Sequence, residues 1–140
     1  MKDMTYIEMT ALARSLFDAF AKGDLDSWQA VLSPDFTWSY PGVANGRGIA
    51  AARAYNEPFN AAFTDWVTDV HAAAIDGETV FVQMTVHATH AAPLALPQGS
   101  LPPTGKRGAV PCLLVAKFHD GLIVHEATYW NVPDLMAQIS

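Results

Sequence analysis

The chain has 140 residues, a formal charge of -6, and only 16% charged residues against 51% apolar ones. That length suits one domain with a real core and is short for two. Its eight Lys and Arg are scattered and form no basic stripe, so neither nucleic acid nor a membrane surface is an expected partner.

A lean charge content suggests surface hidden in a subunit interface or a cavity as well as in a core; the other reading is a merely apolar monomer. The single cysteine, Cys112, excludes an intramolecular disulfide and the zinc patterns that need several thiolates. It lies in an apolar run, as a buried and inert thiol would. The N-terminus lacks the basic region and long apolar core of a secretion signal, and no later stretch approaches a membrane span, so a cytoplasmic protein is expected.

In chain order, Leu12, Ala13, Leu16, Phe17 and Phe20 recur at three- and four-residue spacing, which predicts an amphipathic helix over about 5–22, ended by Gly23. Asp24 is placed to cap a short second helix carrying Leu25, Trp28, Val31 and Leu32, stopped by Ser33 and Pro34. Phe36, Trp38 and Tyr40 alternate with Thr37 and Ser39, the period of a strand with one aromatic face. After a glycine-rich turn over 42–48, residues 49–56 have helical propensity, and Pro58 is expected to split the helix into two pieces. The turn lacks the Lys-Ser/Thr pair of a phosphate loop and receives no nucleotide role.

Strands are expected over 67–75 and 79–90 around Asp76, Gly77 and Glu78. The proline- and glycine-rich segment 91–108 reads as a loop or a pinched pair of edge strands. Strands over 110–118 and 122–130, expected to be the longest, flank the turn His119-Asp120-Gly121, and a short helix follows from Pro133. Helices followed by a run of strands indicate a single α+β domain, with the helices gathered on one face of a mixed, strongly curved sheet.

The order of these elements, with AKGDLDSW, DGETV, ATHAAPL, LPPTGKR, FHDGLIVHEATYW and LMAQI, resembles the SnoaL-like polyketide cyclases of the nuclear transport factor 2-like superfamily. The resemblance covers nearly the whole chain. It implies a cone: a bent sheet around a pocket, helices packed on its concave face, and an outer sheet face used for dimerisation. It also implies aldol-type chemistry by an acid-base aspartate, with no metal or organic cofactor. The chain departs from that pattern, because the two places for the aspartate hold Thr128 and Asn131. Neither an amide nor a hydroxyl cycles a proton near neutral pH.

Glu126 remains on the same strand and the same face as Thr128 and Trp130. Held among Trp130, Phe118 and Leu114 it would be desolvated and become a proton shuttle; on the strand's other face it is a surface glutamate. His90, matching the Thr-His pair that ends the family's strand, is either a secondary proton relay or a structural histidine that locks the 91–108 loop. His71, His87 and His125 read as outer-face residues, and no metal site is expected. Trp38, Tyr40 and Tyr55 supply aromatic walls on which a flat polycyclic or aromatic substrate would stack, with Tyr40 or Asn56 hydrogen-bonding its carbonyl; Trp38 reads equally as core. Asn131 is either a neutral donor to the substrate or the cap of the last helix.

These residues point to a small enzyme that moves protons next to the carbonyl of an apolar or aromatic metabolite, by cyclisation, isomerisation or dehydration, and that forms a homodimer. The alternatives are a non-catalytic binding protein for an apolar small molecule and water addition of the epoxide-hydrolase kind.

Overall fold

The computed structural model describes residues 5–96 and 99–140. The expectations that fall on the first four residues and on 97 and 98 of the proline-rich segment lie outside them. Helix α1 (Tyr6–Ala21) is capped reciprocally: the Thr5 hydroxyl accepts from the Glu8 amide at 3.1 Å, and the Glu8 carboxylate accepts from the Thr5 amide at 3.0 Å. Gly23, with φ of 72°, turns the chain, and Asp24 caps α2 (Leu25–Ala30) by accepting from the Ser27 amide at 3.1 Å.

The second helix is shorter than its sequence suggests. Leu32 already opens strand β1 (Leu32–Tyr40), which runs through Ser33 and Pro34. The Val31 carbonyl accepts from the Ile123 amide at 2.9 Å, so the sheet takes Val31 and Leu32 from the expected helix. Proline is tolerated because the pairing of β1 shifts register between Leu32 and Thr37, where no ladder bond is required of it.

The glycine-rich turn contains a further strand, β2 (Ala44–Arg47), antiparallel to β1. Helix α3 (Ile49–Ala62) then runs unbroken through Pro58, contrary to the expected division into two pieces. Proline leaves the Ala54 carbonyl without its helical donor, but Ala54 is exposed, so solvent is at hand to supply one. On either side of Pro58 the helix is anchored by buried Ala52, Asn56 and Ala62.

Strands β3 (Phe63–Asp76), β4 (Thr79–His90), β7 (Arg107–His119) and β8 (Leu122–Trp130) complete the main sheet, in the order β2-β1-β8-β7-β4-β3. The sheet is mixed: β1 and β8 run parallel, and the other neighbours are antiparallel. The longest strand is β3 with 14 residues, against 13 in β7 and 9 in β8, so the last hairpin does not hold the longest pair. Strand β3 gains its length by reaching back to Phe63 past irregularities between Thr64 and Val67 and between Val70 and Ala72. Such bulges bend a sheet, and this one curves around its helices.

Between β4 and β7 the proline-rich segment forms the expected pinched pair, β5 (Leu94–Leu96) and β6 (Gly99–Leu101). Asp120 and Gly121, with φ of 51° and 81°, make the tight turn between β7 and β8. Helix α4 (Val132–Gln138) closes the chain. Val80, Val82, Met84 and Val86 of β4 and Val110, Leu114, Ala116 and Phe118 of β7 face the helices and are buried. Their neighbours Phe81, Gln83, Thr85 and His87 form the outer face.

Candidate active site

The direction of Glu126 follows from register. On β8 it pairs with Trp38 of β1 on one side and Ala116 of β7 on the other, both core residues, and its own exposure is 5%. Glu126 therefore points inward, as do Thr128, which pairs with Leu114, and Trp130, which pairs with Cys112. Thr128 Oγ1 donates a hydrogen bond to Glu126 Oε1. Burial pushes the Glu126 carboxyl from its ordinary 4.5 up to about 7, against the Thr128 hydrogen bond, which favours the ionised form.

Glu126 opens onto a cavity of about 110 Å³ between α1, α3 and the concave face of the sheet. Among the described residues lining it, Glu126 is the sole carboxylate, and most of the rest of the wall is aromatic or aliphatic. Tyr40, Tyr55, Thr128 and Trp130 are among the residues that line it.

Two expected donors are committed to each other. Asn56 Nδ2 donates to the Ala52 carbonyl at 2.8 Å, and Tyr40 Oη donates to Asn56 Oδ1 at 2.9 Å. A backbone carbonyl only accepts, so the amide nitrogen must face Ala52, and the Tyr40 proton must go to Asn56. The Tyr40 hydroxyl is held well above its ordinary pKa by burial first and by the nearby Glu126 second. Burial likewise raises the Tyr55 hydroxyl, which is buried and has no hydrogen-bond partner.

The aromatic walls differ from the stacking platform expected of them. Tyr40 and Tyr55 stack on each other at 4.8 Å, and Trp38 packs against both at 5.7 and 5.5 Å. Trp38 lies behind the tyrosines in the core, not in the cavity wall, so its alternative reading as a core residue describes its place.

His90 is fully buried but is not part of the cavity wall. Its Nδ1 accepts from the Thr104 amide at 3.3 Å and lies 3.1 Å from Thr104 Oγ1, while its carbonyl accepts from the Gly105 amide at 2.8 Å. These contacts hold the end of the proline-rich segment against β4, which is the loop-locking role. Asn131 is exposed, and its Oδ1 accepts from the Asp134 amide at 3.0 Å, capping α4 outside the cavity. His71, His87 and His125 hydrogen-bond Thr85, Asp69 and Thr37 away from the cavity.

Sequence reasoning missed Phe59, Trp66, Cys112 and Leu135 as wall residues. Phe59 was signalled by its four-residue spacing from Tyr55, which puts both rings on one helix face. Burial raises the Cys112 thiol to about 12, which keeps it protonated and a poor nucleophile. Among the described residues, no group of His, Cys, Asp and Glu is arranged to hold a metal ion, and no helix is long and apolar enough to cross a membrane.

The profile described as a SnoaL-like domain matches residues 13–126. In three dimensions the chain is similar to a protein from Jannaschia sp. CCS1 described as a candidate SnoaL-like polyketide cyclase, at 21% identity and a TM-score of 0.83, covering 100% of this chain and 98% of that one. TsrD from Streptomyces laurentii is similar at 20% identity and a TM-score of 0.80, covering 99% and 98% of the two chains. An LEH-like epoxide hydrolase from M. tuberculosis is similar at 17% identity and a TM-score of 0.71, covering 95% and 90%. Among curated proteins none matches the sequence. At such identities the likeness carries the fold, and the chemistry has to be argued from the pocket.

Proposed function

Because the chain belongs to the SnoaL-like domain family, whose shared scaffold leaves the reaction open, we propose from its pocket that it is an enzyme moving protons next to the carbonyl of an apolar metabolite. Aldol cyclisation, isomerisation and dehydration all begin this way. One observation carries the reading: the cavity's sole described carboxylate, Glu126, is buried among apolar side chains with its pKa raised to about 7. A group poised near the working pH serves both as base and, once protonated, as acid.

Glu126 as carboxylate takes the proton from the carbon beside the carbonyl. The electrons of the broken C–H bond form the enolate, with charge on the carbonyl oxygen. Protonated Glu126 then returns the proton to carbon or to a leaving oxygen. Thr128 orients the carboxylate through its hydrogen bond, and Tyr40 and Trp130 border the substrate.

The test is exchange of hydrogen for deuterium beside the carbonyl of phenylacetone in heavy water, followed by NMR. Glu126→Gln should slow exchange at least about 100-fold, the lower range for removal of a general base, while the circular dichroism spectrum is kept. Wild-type exchange in that variant would sink the assignment, and a ligand left chemically intact by the wild type would identify a binding protein instead. The same reading includes a homodimer built on the outer sheet face, where Val67 and Tyr129 are each 48% exposed.

A further inference from the structure

We infer that the pocket takes carbonyl compounds built on a single six-membered ring or a short branched chain, and turns away fused polycycles. The inference rests on the proton-transfer reading above for its carbonyl and narrows the substrate class that Glu126 meets.

Size is the first argument. The cavity holds about 110 Å³. An apolar cavity of ~150 Å³ is enough for benzene, whereas pockets for drug-sized ligands run to roughly 300–1,000 Å³. At that size a single ring already fills the cavity, and a short side chain has to reach out through its open side.

The second argument is that the aromatic residues occupy the space a polycycle would need. Tyr40 stacks on Tyr55 at 4.8 Å, Tyr55 meets Phe59 at 5.8 Å, and Phe59 meets Trp130 edge-on at 5.8 Å. The faces of Tyr40 and Tyr55 are turned toward one another, and Phe59 meets its neighbours tilted or edge-on, so no two of these rings stand apart and parallel to sandwich a flat ligand. A three-ring ligand would have to break this ladder and lose those contacts before making its own.

The third argument is that the walls are pinned. Tyr40 is tethered through Asn56 to the Ala52 carbonyl of α3. At the other end, Gln138 both accepts from the Ala109 amide at 2.7 Å and donates to the Ala109 carbonyl at 2.9 Å, clamping α4 to β7. That clamp presses Leu135 over Gly108, so closely that a Cβ on Gly108 would lie 3.0 Å from Leu135 Cδ1. A wall held at both ends acts as a size filter. The ligand's carbonyl lies toward Glu126 and Thr128, and its ring toward Phe17, Phe20 and Trp66.

Trp28, Trp66 and Trp130 line the cavity and report occupancy by fluorescence. The wild-type protein is titrated with phenylacetone, 2-tetralone and anthrone, ketones of one, two and three rings. In a roomy apolar pocket, affinity climbs with every added buried carbon; a size filter reverses that order. Phenylacetone should quench saturably and bind at least tenfold tighter than anthrone, with 2-tetralone between. Affinity that rises with ring number would overturn the inference, as would the absence of a saturable response to all three. Binding is read without turnover, so the two proposals fail separately. Phenylacetone bound but not exchanged defeats the proton-transfer reading alone, and anthrone bound more tightly while phenylacetone still exchanges defeats the size filter alone.

Discussion

Glu126 should impose opposite pH dependences on activity and on stability. As a base it acts as the carboxylate, so kcat/KM for exchange rises with pH through about 7 and levels above it. Stability runs the other way. The folded pKa is raised from the ordinary 4.5, so folding favours the neutral acid. That contribution is fully present below the unfolded value and is lost as pH rises through about 7. By the conversion of ~1.4 kcal/mol per pKa unit, the loss is on the order of 3 kcal/mol. Glu126→Gln stays neutral, so its urea midpoint should gain on the wild type's between pH 5 and pH 8; parallel curves would mean that Glu126 ionises at its ordinary value. Thr128→Val removes the hydrogen bond that favours the carboxylate and should move the midpoint of the activity profile to higher pH. Glu126 was legible in the sequence as the acid of an otherwise uncharged strand stretch. Its direction was not, because strand alternation defines two faces without saying which is inside, and only pairing with Trp38 and Ala116 decides. His90 was opaque for another reason: its partner Thr104 arrives only when the chain folds back.

Among the elements, the hairpin of β1 and β2 is the one that sequence concealed. The residues Ala44, Asn45, Gly46 and Arg47 carry turn chemistry and no apolar alternation, so nothing marks them as a strand. Their place depends on Trp38, with which Gly46 pairs. A Cβ on Gly46 would lie 2.5 Å from Trp38 Cζ2, closer than atoms pack. Gly46→Ala must therefore displace the hairpin or swing the indole into the tyrosines. The expected cost is ~1–3 kcal/mol, as for other overpacked sites, read as a lower urea midpoint at unchanged slope. A midpoint equal to wild type would show that the indole has room to move. Helix α3 teaches the converse. Pro58 is a clear local stop signal, yet buried Ala52, Asn56 and Ala62 on both sides of it keep the helix whole. Local signals were a reliable guide to where α1, α2 and α4 begin, because their capping side chains stand in the sequence next to the backbone they satisfy.

For the whole molecule, the two faces of the sheet divide the work. The concave face is given to the core and the cavity, and among the described residues no helix covers the outer face at Gln83, Leu113 and Tyr129, which are paired side by side across β4, β7 and β8. Together with Ala72, Phe81 and Pro111 they form a shallow apolar hollow. A second copy related by a twofold axis would present the same hollow in return, so each contact would occur twice. Sedimentation at micromolar concentration should give twice the 15.1 kDa of one chain, and a single-chain mass would refute the dimer. Leu113→Lys puts a charge at the centre of that face, and the symmetry sets two such charges near each other, so it should yield monomers. Because Glu126 and its cavity lie on the opposite face of the same strands, the monomeric variant should keep Glu126-dependent exchange. Loss of exchange on monomerisation would instead mean that the partner subunit helps hold the sheet's curvature, and with it the inward register of Glu126 between Trp38 and Ala116.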